Sequence, residues 1–248
     1  MTRAFKHLIV TRFNLNLYSP AAKLRVSPEQ WMAHRLELFR SFTLPSIAGQ
    51  TCQDFTWLIA MDPRTPDGDM ATLERLCPAN AKLFVPAPNE NSWLRDLEPG
   101  SYDLLTTRID NDDAFHREAV AALHETYRTR QAKLTRPWVI VFPLGLIMDL
   151  DSRQAWMMEY WTNNSPTLVE DGRDPQTVWQ WQHDQIPADV PRCYIQDKPY
   201  WLQVVHGQNL RNVIQSGNPY RRVRTDLPAR PEHLAVFGVN PDRLPVGR

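Results

Sequence analysis

The sequence has few cysteines, no excess of charge of either sign and no long apolar run. Its three cysteines (Cys52, Cys77 and Cys193) cannot all pair, and none of them lies in a C-x-x-C motif. This usage is typical of reduced thiols in the cytosol, and it argues against a disulfide framework and against a cysteine zinc site. The 248 residues are enough for one large domain, or for two small ones that share a core.

The even charge and the short apolar runs exclude further classes of protein. Lysine and arginine number 28 in total, as do aspartate and glutamate, so neither a nucleic-acid coat nor a polybasic membrane patch is indicated. The apolar run at residues 8–10 is too short for a signal peptide. The longest uncharged stretch, residues 138–148, contains Pro143 and Gly145, whereas a membrane span needs about 20 apolar residues. We expect a cytoplasmic protein without a nucleic-acid partner or a transmembrane segment, and peripheral contact with the inner membrane face stays open.

Hydrophobic periodicity predicts strands that alternate with helices in the first half of the chain. Ser27, Pro28 and Gln30 form the start signal of a helix, and its apolar positions from Met32 to Phe42 recur at helical spacing. Strand-like runs lie at residues 7–10, 55–62, 82–86, 102–109, 138–150 and 200–209. This alternation indicates a single α/β domain with a mostly parallel, Rossmann-like sheet flanked by helices. In such a sheet the carboxyl ends of the strands form the binding edge.

The stretch LLTTRIDNDDAF, residues 104–115, ends a strand-like run with three carboxylates: Asp110, Asp112 and Asp113. Their mutual repulsion near a protein surface costs on the order of a few kcal/mol per close pair, so other groups must offset it. One interpretation is structural: Asp113 caps a helix that begins at Ala114, and the other two aspartates shape the turn. A calcium-binding EF-hand loop is excluded, because it requires a glycine at its sixth place, where this chain has Phe115.

The alternative is a divalent-metal site for a phosphorylated substrate. In extended geometry residues i and i+2 point the same way, so Asp110 and Asp112 can converge on one ligand. Mg²⁺ and Mn²⁺ take one or two carboxylate ligands, and phosphate oxygens and water complete their coordination. The aspartates follow a predicted strand, which is where α/β sheets bind ligands. Arg108 directly before them is a candidate counter-charge.

Several segments together resemble the putative rhamnosyltransferase family, a bacterial group with the glycosyltransferase A-type fold. They are, in order, TRFN after the first strand, LPSIAGQ, FTWLIAMD followed by TP, and TTRIDNDDA, with looser matches at SPTLVE and WLQVVHGQN. The resemblance implies a metal-dependent glycosyltransferase of polysaccharide biosynthesis. Such an enzyme would move a sugar, rhamnose for example, from a nucleoside-diphosphate sugar to a glycan or lipid-linked acceptor.

The resemblance also divides the chain. It implies a glycosyltransferase A-type catalytic domain over residues 1–215. Residues 216–248, with five prolines and six arginines, are then a C-terminal tail packed on that domain.

The family's DxD motif holds Mn²⁺ or Mg²⁺ against the diphosphate of the donor. Carried onto this chain, it implies Asp110, Asp112 and Asp113 as metal-binding residues. Many enzymes of this fold add a histidine ligand from late in the chain, and His206 in VVHGQN matches that place. The alternative for His206 is a histidine satisfied by local hydrogen bonds.

The resemblance implies donor-binding and catalytic residues as well. The positions that match the nucleotide-binding residues follow the first two strands and flank the aspartates: Thr11, Arg12, Asn14, Asp62, Arg108 and Asp110. An inverting transferase also needs a carboxylate base for the acceptor hydroxyl. Glu170 and Asp171 in SPTLVEDG are the candidates, with Asp149 and Asp151 in reserve. For Glu170, a place in a surface turn is the alternative.

Two other functions stay open on the sequence. A nucleotidyltransferase or a nucleotide-sugar hydrolase also uses metal held by carboxylates, and it would release pyrophosphate or free sugar. A non-catalytic partner in polysaccharide assembly would bind the nucleotide or the sugar without turnover.

Overall fold

A computed structural model describes residues 3–15, 23, 25–86, 100–209, 213–214 and 220–245. Its strands are, in chain order, β1 (Phe5–Arg12), β2 (Thr56–Ala60), β3 (Ala81–Phe84), β4 (Asp103–Arg108), β5 (Ala114–Phe115), β6 (Trp138–Val141), β7 (Leu144–Asp149), β8 (Gln154–Tyr160), β9 (Thr167–Asp171), β10 (Arg192–Tyr194), β11 (Trp201–Val205) and β12 (Arg221–Pro228). Its α-helices are α1 (Pro28–Leu38), α2 (Leu44–Ala48), α3 (Asp67–Leu76), α4 (Ala119–Arg130) and α5 (Pro231–Ala235).

The main sheet has seven described strands in the order β10-β6-β9-β4-β1-β2-β3. Six of them run in one direction, and β9 is antiparallel to both of its neighbours, β4 and β6. The predicted α/β fold with a mostly parallel sheet is therefore confirmed. Every strand-like run of the sequence contains strand residues of the structure, and the run at residues 138–150 contains two strands, β6 and β7.

Both faces of the main sheet are buried. Ile9, Trp57 and Leu105 face a core that includes residues of helices α1, α3 and α4. Leu8 and Leu104 point to the other face and pack in a smaller cluster. Burial on both sides explains why consecutive residues are apolar in both strands, at residues 8–10 of β1 and 104–105 of β4, as in inner strands of parallel sheets.

Helix α1 begins where the sequence indicates. The Ser27 side chain accepts a hydrogen bond from the Gln30 backbone N–H, and the Gln30 side chain accepts one from the Ser27 backbone N–H, which forms a capping box. A π-helical segment, Phe39–Thr43, joins α1 to α2. Met32 and Phe39 are buried in the core as the helical spacing predicts. The same helix also buries His34 and Arg35, although both are polar.

The chain after the aspartates differs from the helix cap considered for Asp113. Residues 114–115 form the short strand β5, and α4 begins only at Ala119. Strand β5 belongs to a second sheet with the order β12-β8-β7-β11-β5, where Ala114 pairs with Leu202 and Phe115 with Trp201 of β11. The cap hypothesis is wrong because tertiary pairing with β11 takes these two residues. The same pairing places the aspartates beside the start of the segment that follows β11.

The last part of the chain adds to the second sheet. Strand β12 pairs antiparallel with β8, and Leu234 and Phe237 are buried against Leu38 and Phe42. Residues 216–219 and 246–248 lie outside the described residues, and the division into a catalytic domain and a tail stays a prediction. In the part of the chain that the structure describes, no helix has the length and apolar character that a membrane crossing requires.

Two buried histidines make the stability of the fold sensitive to pH. His7 Nδ1 lies 2.9 Å from His124 Nε2, and His7 Nε2 lies 2.7 Å from Thr107 Oγ1. Burial and His124 lower the pKa of His7 well below its usual 6.5. Burial, with a contribution from Arg128, lowers the pKa of His124 to about 4. Both side chains are therefore neutral in the folded protein at pH 7.

We expect the free energy of unfolding to fall as the pH drops below about 6.5, the pKa of histidine in an unfolded chain. There the unfolded chain binds protons that the folded protein does not, at about 1.4 kcal/mol per pH unit for each histidine. Urea unfolding between pH 7.5 and 5 measures this slope. His124→Gln should reduce it, because this variant removes one of the two buried histidines. An equal slope in wild type and His124→Gln would contradict the prediction.

Candidate functional site

Strands β1, β2, β4, β6 and β10 of the main sheet all end at one edge, since they run in the same direction. In open α/β sheets this carboxyl edge is where ligands bind. The segments that follow β1, β2 and β4 carry Asn14, Asp62 and residues 110–113. Because β9 is antiparallel, the loop before it reaches the same edge, and its Asn164 contacts Asp113.

The structure brings Asn14 and Asp62 together. Asn14 Oδ1 accepts a hydrogen bond from the Asp62 backbone N–H at 2.9 Å, and Asn14 Nδ2 donates to Thr65 Oγ1 at 2.8 Å. The Asp62 carboxylate accepts two hydrogen bonds from Arg64, at 2.8 and 2.7 Å. These two predicted nucleotide-binding residues therefore lie in one hydrogen-bonded group at the carboxyl edge.

Thr11 and Arg12 are placed differently. The buried Thr11 Oγ1 accepts a hydrogen bond from Trp57 Nε1 at 3.0 Å, so this side chain faces the core. The Arg12 guanidinium lies 4.5 Å from the centre of the Trp179 ring, a cation–π distance. Asn14, which follows β1, contacts the Asp62 group directly by hydrogen bonds.

Asp112 lies at the centre of a buried polar cluster. Its Oδ2 atom accepts a hydrogen bond from Arg35 Nη1 at 2.6 Å and lies 3.0 Å from His206 Nε2. The side chains of Asp112 and His206 are 6% and 0% exposed. Burial acts to raise the pKa of Asp112, but Arg35 and His206 outweigh it and hold the pKa at about 2. Asp112 is thus ionised, with two partners on one oxygen.

Asp113 points away from that cluster. Its Oδ1 accepts a hydrogen bond from the Val204 backbone N–H at 3.1 Å, and its Oδ2 accepts one from Asn164 Nδ2 at 2.6 Å. Burial, together with the charges of Asp112 and Asp110, raises the pKa of Asp113 well above its usual range. This side chain ties the aspartate segment to β11 and to the loop before β9.

Asp110 is the most exposed of the three aspartates, with 31% of its side chain accessible. Its Oδ1 lies 3.2 Å from Arg108 Nη2, so Arg108 lies where a counter-charge was predicted. The repulsion among the carboxylates is therefore offset in three ways: Arg35 and His206 pair with Asp112, Arg108 pairs with Asp110, and the raised pKa of Asp113 favours its neutral form.

A second histidine, His34, contacts the ring nitrogen of His206 that faces away from Asp112. His206 Nδ1 lies 3.2 Å from His34 Nε2 and accepts a hydrogen bond from the Gln208 backbone N–H, also at 3.2 Å. Such contacts to the second ring nitrogen fix the orientation of a histidine. His34 and Arg35 were not predicted from the sequence. Within an amphipathic helix both look like residues of the solvent face, and no local signal shows that they contact Asp112 and His206.

The predicted metal-binding residues meet only in part. Within the described ranges, no group of three or more histidines, cysteines, aspartates or glutamates is arranged to hold a metal ion. Asp112 and His206 converge, whereas Asp110 and Asp113 turn to other partners. A carboxylate suits Mn²⁺ or Mg²⁺ when a phosphorylated substrate supplies further oxygens, and an imidazole suits the transition metal Mn²⁺ better than the harder Mg²⁺. The donor set therefore fits a cation that is completed by the substrate, with two ligands from the protein.

Glu170 and Asp171 lie far from this cluster. In the antiparallel pair of β4 and β9, Glu170 is opposite Leu104 and Asp171 is opposite Asp103, at the start of β4. The aspartates follow Arg108, at the other end of β4. Four residues of strand separate Leu104 from Arg108, or about 13 Å. A general base must reach the acceptor hydroxyl within hydrogen-bond distance, so we no longer assign this role to Glu170 or Asp171.

Both side chains have structural partners at the opposite edge. The Glu170 carboxylate accepts a hydrogen bond from the Thr177 backbone N–H at 2.7 Å. Asp171 Oδ2 pairs with Arg173 at 2.7 Å and with Arg3 at 3.2 Å, and these arginines lower the pKa of Asp171. Glu170 thus fixes the segment that follows β9, and it lies buried within the strand and not in a surface turn.

Asp149, the reserve candidate, is better placed. It ends β7 and pairs in register with Val205 of the parallel strand β11, directly before His206. Its Oδ1 accepts a hydrogen bond from the Asp151 backbone N–H at 3.1 Å, and its Oδ2 accepts one from Ser152 Oγ at 2.8 Å. Asp151 itself is exposed. Asp149 therefore lies at the same end of the second sheet as His206.

A mostly parallel α/β sheet with polar residues gathered at its carboxyl edge is the architecture of a ligand-binding α/β protein. Within this class the chain is a glycosyltransferase-type protein and belongs to the family described as "Putative rhamnosyl transferase", whose model matches residues 5–217. The family to which the sequence motifs point is thereby confirmed. No curated protein matches the chain.

The solved structures that align with the chain include those of TarS from S. aureus. The TarS crystal structure aligns with a TM-score of 0.44 and 14% identity, over 82% of this chain and 37% of the TarS chain. The structure of TarS 1–349 in complex with UDP aligns with a TM-score of 0.42 and 13% identity, over 82% of this chain and 61% of that one. The chain therefore spans less than two thirds of the length of either TarS structure.

Proposed function

We propose that the protein transfers a sugar from a nucleoside-diphosphate sugar to a glycan or lipid-linked acceptor, at the carboxyl edge around Asp112. Membership of the rhamnosyl transferase family supports sugar transfer, and rhamnose is the sugar that the family name suggests. The observation that carries the proposal is the buried contact of 3.0 Å between Asp112 Oδ2 and His206 Nε2. The chain would act in the cytoplasm and meet a lipid-linked acceptor at the inner face of the membrane.

The nucleoside would lie over the ends of β1 and β2. The Asp62 carboxylate there can accept hydrogen bonds from base N–H groups or ribose hydroxyls. Asn14, which contacts the Asp62 backbone N–H at 2.9 Å, holds this residue in position. Asp62 would have to share its carboxylate between Arg64 and the nucleoside.

The diphosphate would lie beside Asp112 and His206. These two residues would hold Mn²⁺ or Mg²⁺, which supplies Lewis-acid stabilisation of the departing diphosphate when it is bound. To hold the cation through Nε2, His206 would carry its proton on Nδ1 and donate it to His34 Nε2, which lies 3.2 Å away. Asp113 contributes by fixing the backbone of the aspartate segment against Val204.

The acceptor hydroxyl must lose a proton as it attacks the sugar. Asp149 ends β7, the strand beside β11, and pairs in register with Val205, the residue before His206. We propose Asp149 as the general base of an inverting transfer, in place of Glu170 and Asp171. In this role it would release its hydrogen bond from Ser152 Oγ and accept the proton of the acceptor.

Calorimetric titration with UDP and with dTDP, each with and without Mn²⁺, tests the donor site. We expect one of the two nucleotides to bind, and to bind at least about tenfold more tightly with Mn²⁺, because the cation links Asp112 to the diphosphate. Failure of both nucleotides to bind under either condition would overturn the proposal.

Product analysis with the matching nucleotide sugar then separates the alternative functions. Sugar found on an added acceptor indicates a transferase, and free sugar indicates a hydrolase. A nucleotidyltransferase is tested separately, by pyrophosphate release from a nucleoside triphosphate and a sugar 1-phosphate. Binding without any turnover in a screen of glycan and lipid-linked acceptors would indicate a non-catalytic partner.

A further inference from the structure

Arg35 is a buried cation on helix α1 with an incomplete set of partners. Its residue exposure is 7%. Nη1 donates to Asp112 Oδ2 at 2.6 Å and to Asn111 Oδ1 at 3.2 Å, and Nη2 donates to the Gln208 carbonyl at 3.3 Å. Nε is buried and has no hydrogen-bond partner in the described part of the chain.

Gln208, next to Arg35, shows the same deficit. Its Oε1 atom is buried and also lacks a hydrogen-bond partner among the described residues. A buried polar group without a hydrogen-bond partner destabilises the folded protein, and the cost is larger when the polar group belongs to a charged side chain. Two atoms without partners beside one cluster of charged side chains are typical of a binding site in which a polar ligand supplies the missing hydrogen bonds.

We infer that Arg35 binds the diphosphate of the donor. In the protein without ligand, Arg35 is paired with Asp112 instead. The inference rests on the proposed function. Guanidinium groups match phosphate oxygens with parallel N–H donors, and the Nε–H that lacks a partner is one of these donors. Asp112 Oδ2, the oxygen that Arg35 contacts, is also the oxygen that faces His206.

Arg35 and a divalent cation therefore compete for the same carboxylate oxygen. A positive charge at Asp112 repels the Arg35 guanidinium, which then turns to the negative diphosphate. Nucleotide and cation consequently bind with positive coupling, and each raises the affinity of the other by the same factor. Part of this coupling comes from Arg35 itself, so it must shrink when Arg35 is replaced.

Replacement of Arg35 tests this with two readouts of opposite sign. In Arg35→Gln, Mn²⁺ alone should bind at least about tenfold more tightly, measured as free Mn²⁺ by electron paramagnetic resonance, because its competitor at Asp112 is gone. UDP or dTDP at saturating Mn²⁺ should bind about 10- to 100-fold more weakly, because charge-assisted hydrogen bonds to the diphosphate are lost. Arg40→Gln, at an exposed arginine of the following turn, should change neither affinity.

Arg35→Lys provides a second variant that keeps the charge and loses the planar fork. It should bind Mn²⁺ as wild type does and bind the nucleotide more weakly, which tests the inference even if Arg35→Gln does not fold. Thermal melts report folding for each variant. A parallel loss of Mn²⁺ and nucleotide affinity in folded Arg35→Gln would show a purely structural role. Unchanged nucleotide affinity in folded variants would also overturn the inference, while the donor site stands. If wild type binds no nucleotide, both proposals fail.

Discussion

The Asp112→Asn variant should lose about 1,000-fold or more in the rate of sugar transfer and keep its fold. Asparagine has the shape of aspartate and offers one carbonyl oxygen, but it lacks the negative charge that a divalent cation requires. Loss of metal-assisted charge stabilisation costs several kcal/mol in the transition state, which corresponds to a factor of this size. The measurement is kcat/KM for the nucleotide sugar at saturating Mn²⁺.

Stability must be followed in the same variant, because Arg35 would lose its ionic partner at 2.6 Å. Removal of one member of a buried ion pair destabilises proteins, so we expect a lower melting temperature and an intact circular dichroism spectrum below it. Asp171→Asn is the matched control, since Asp171 lies at the opposite edge of the main sheet. It should keep its transfer rate within about threefold. Comparable losses in both variants would remove Asp112 from the centre of the reaction.

The main sheet and the approximate place of the site could be predicted because they follow from local patterns. Strand-like runs that alternate with helices indicate parallel strands, and parallel strands end at one edge. This placed Asn14, Asp62 and the aspartates at one edge of the sheet, where the structure has them. The start of α1 was equally predictable, because the capping box of Ser27 and Gln30 lies within four residues of sequence.

Glu170 and Asp171 show where local reasoning fails. An acid at the end of an apolar run lies at the binding edge only if its strand runs parallel to the others. Strand β9 enters the sheet in the opposite direction, so its carboxyl end reaches the far edge. Direction within a sheet is set by long-range pairing, and the sequence of residues 165–171 contains no sign of it.

For a related reason Arg35 was missed, and the helix cap considered for Asp113 was wrong. The polar positions of an amphipathic helix are expected to face solvent, yet Arg35 is buried because Asp112 lies against it. Asp113 precedes Ala114, which pairs with Leu202 of β11 across a long sequence separation. Both cases are tertiary contacts that override local preference, and both occur at the candidate site, where local rules are most often broken.

Asp103→Ala should destabilise the fold by about 3–5 kcal/mol, the usual cost of breaking a buried ion pair. Asp103 begins β4 and is fully buried. Its Oδ1 accepts a hydrogen bond from Arg136 Nε at 2.7 Å and lies 3.2 Å from Arg3 Nη1, and its Oδ2 accepts one from the Tyr127 hydroxyl at 2.8 Å. Without the carboxylate, two guanidinium groups and a buried hydroxyl lose their common acceptor.

A change of this size should lower the melting temperature by roughly 6–20 °C for a chain of this length, and calorimetry or urea unfolding measures it. Asp171→Ala is the control, because Asp171 also pairs with Arg3 but is 31% exposed. Its effect should stay below about 1 kcal/mol, as for ion pairs that water screens. Equal losses of stability in Asp103→Ala and Asp171→Ala would mean that burial does not strengthen the ion pairs of Asp103. Well below its melting temperature, Asp103→Ala should keep its rate of sugar transfer, since Asp103 and Asp112 lie at opposite ends of β4. Asp103 would then contribute to the stability of the fold and Asp112 to the reaction.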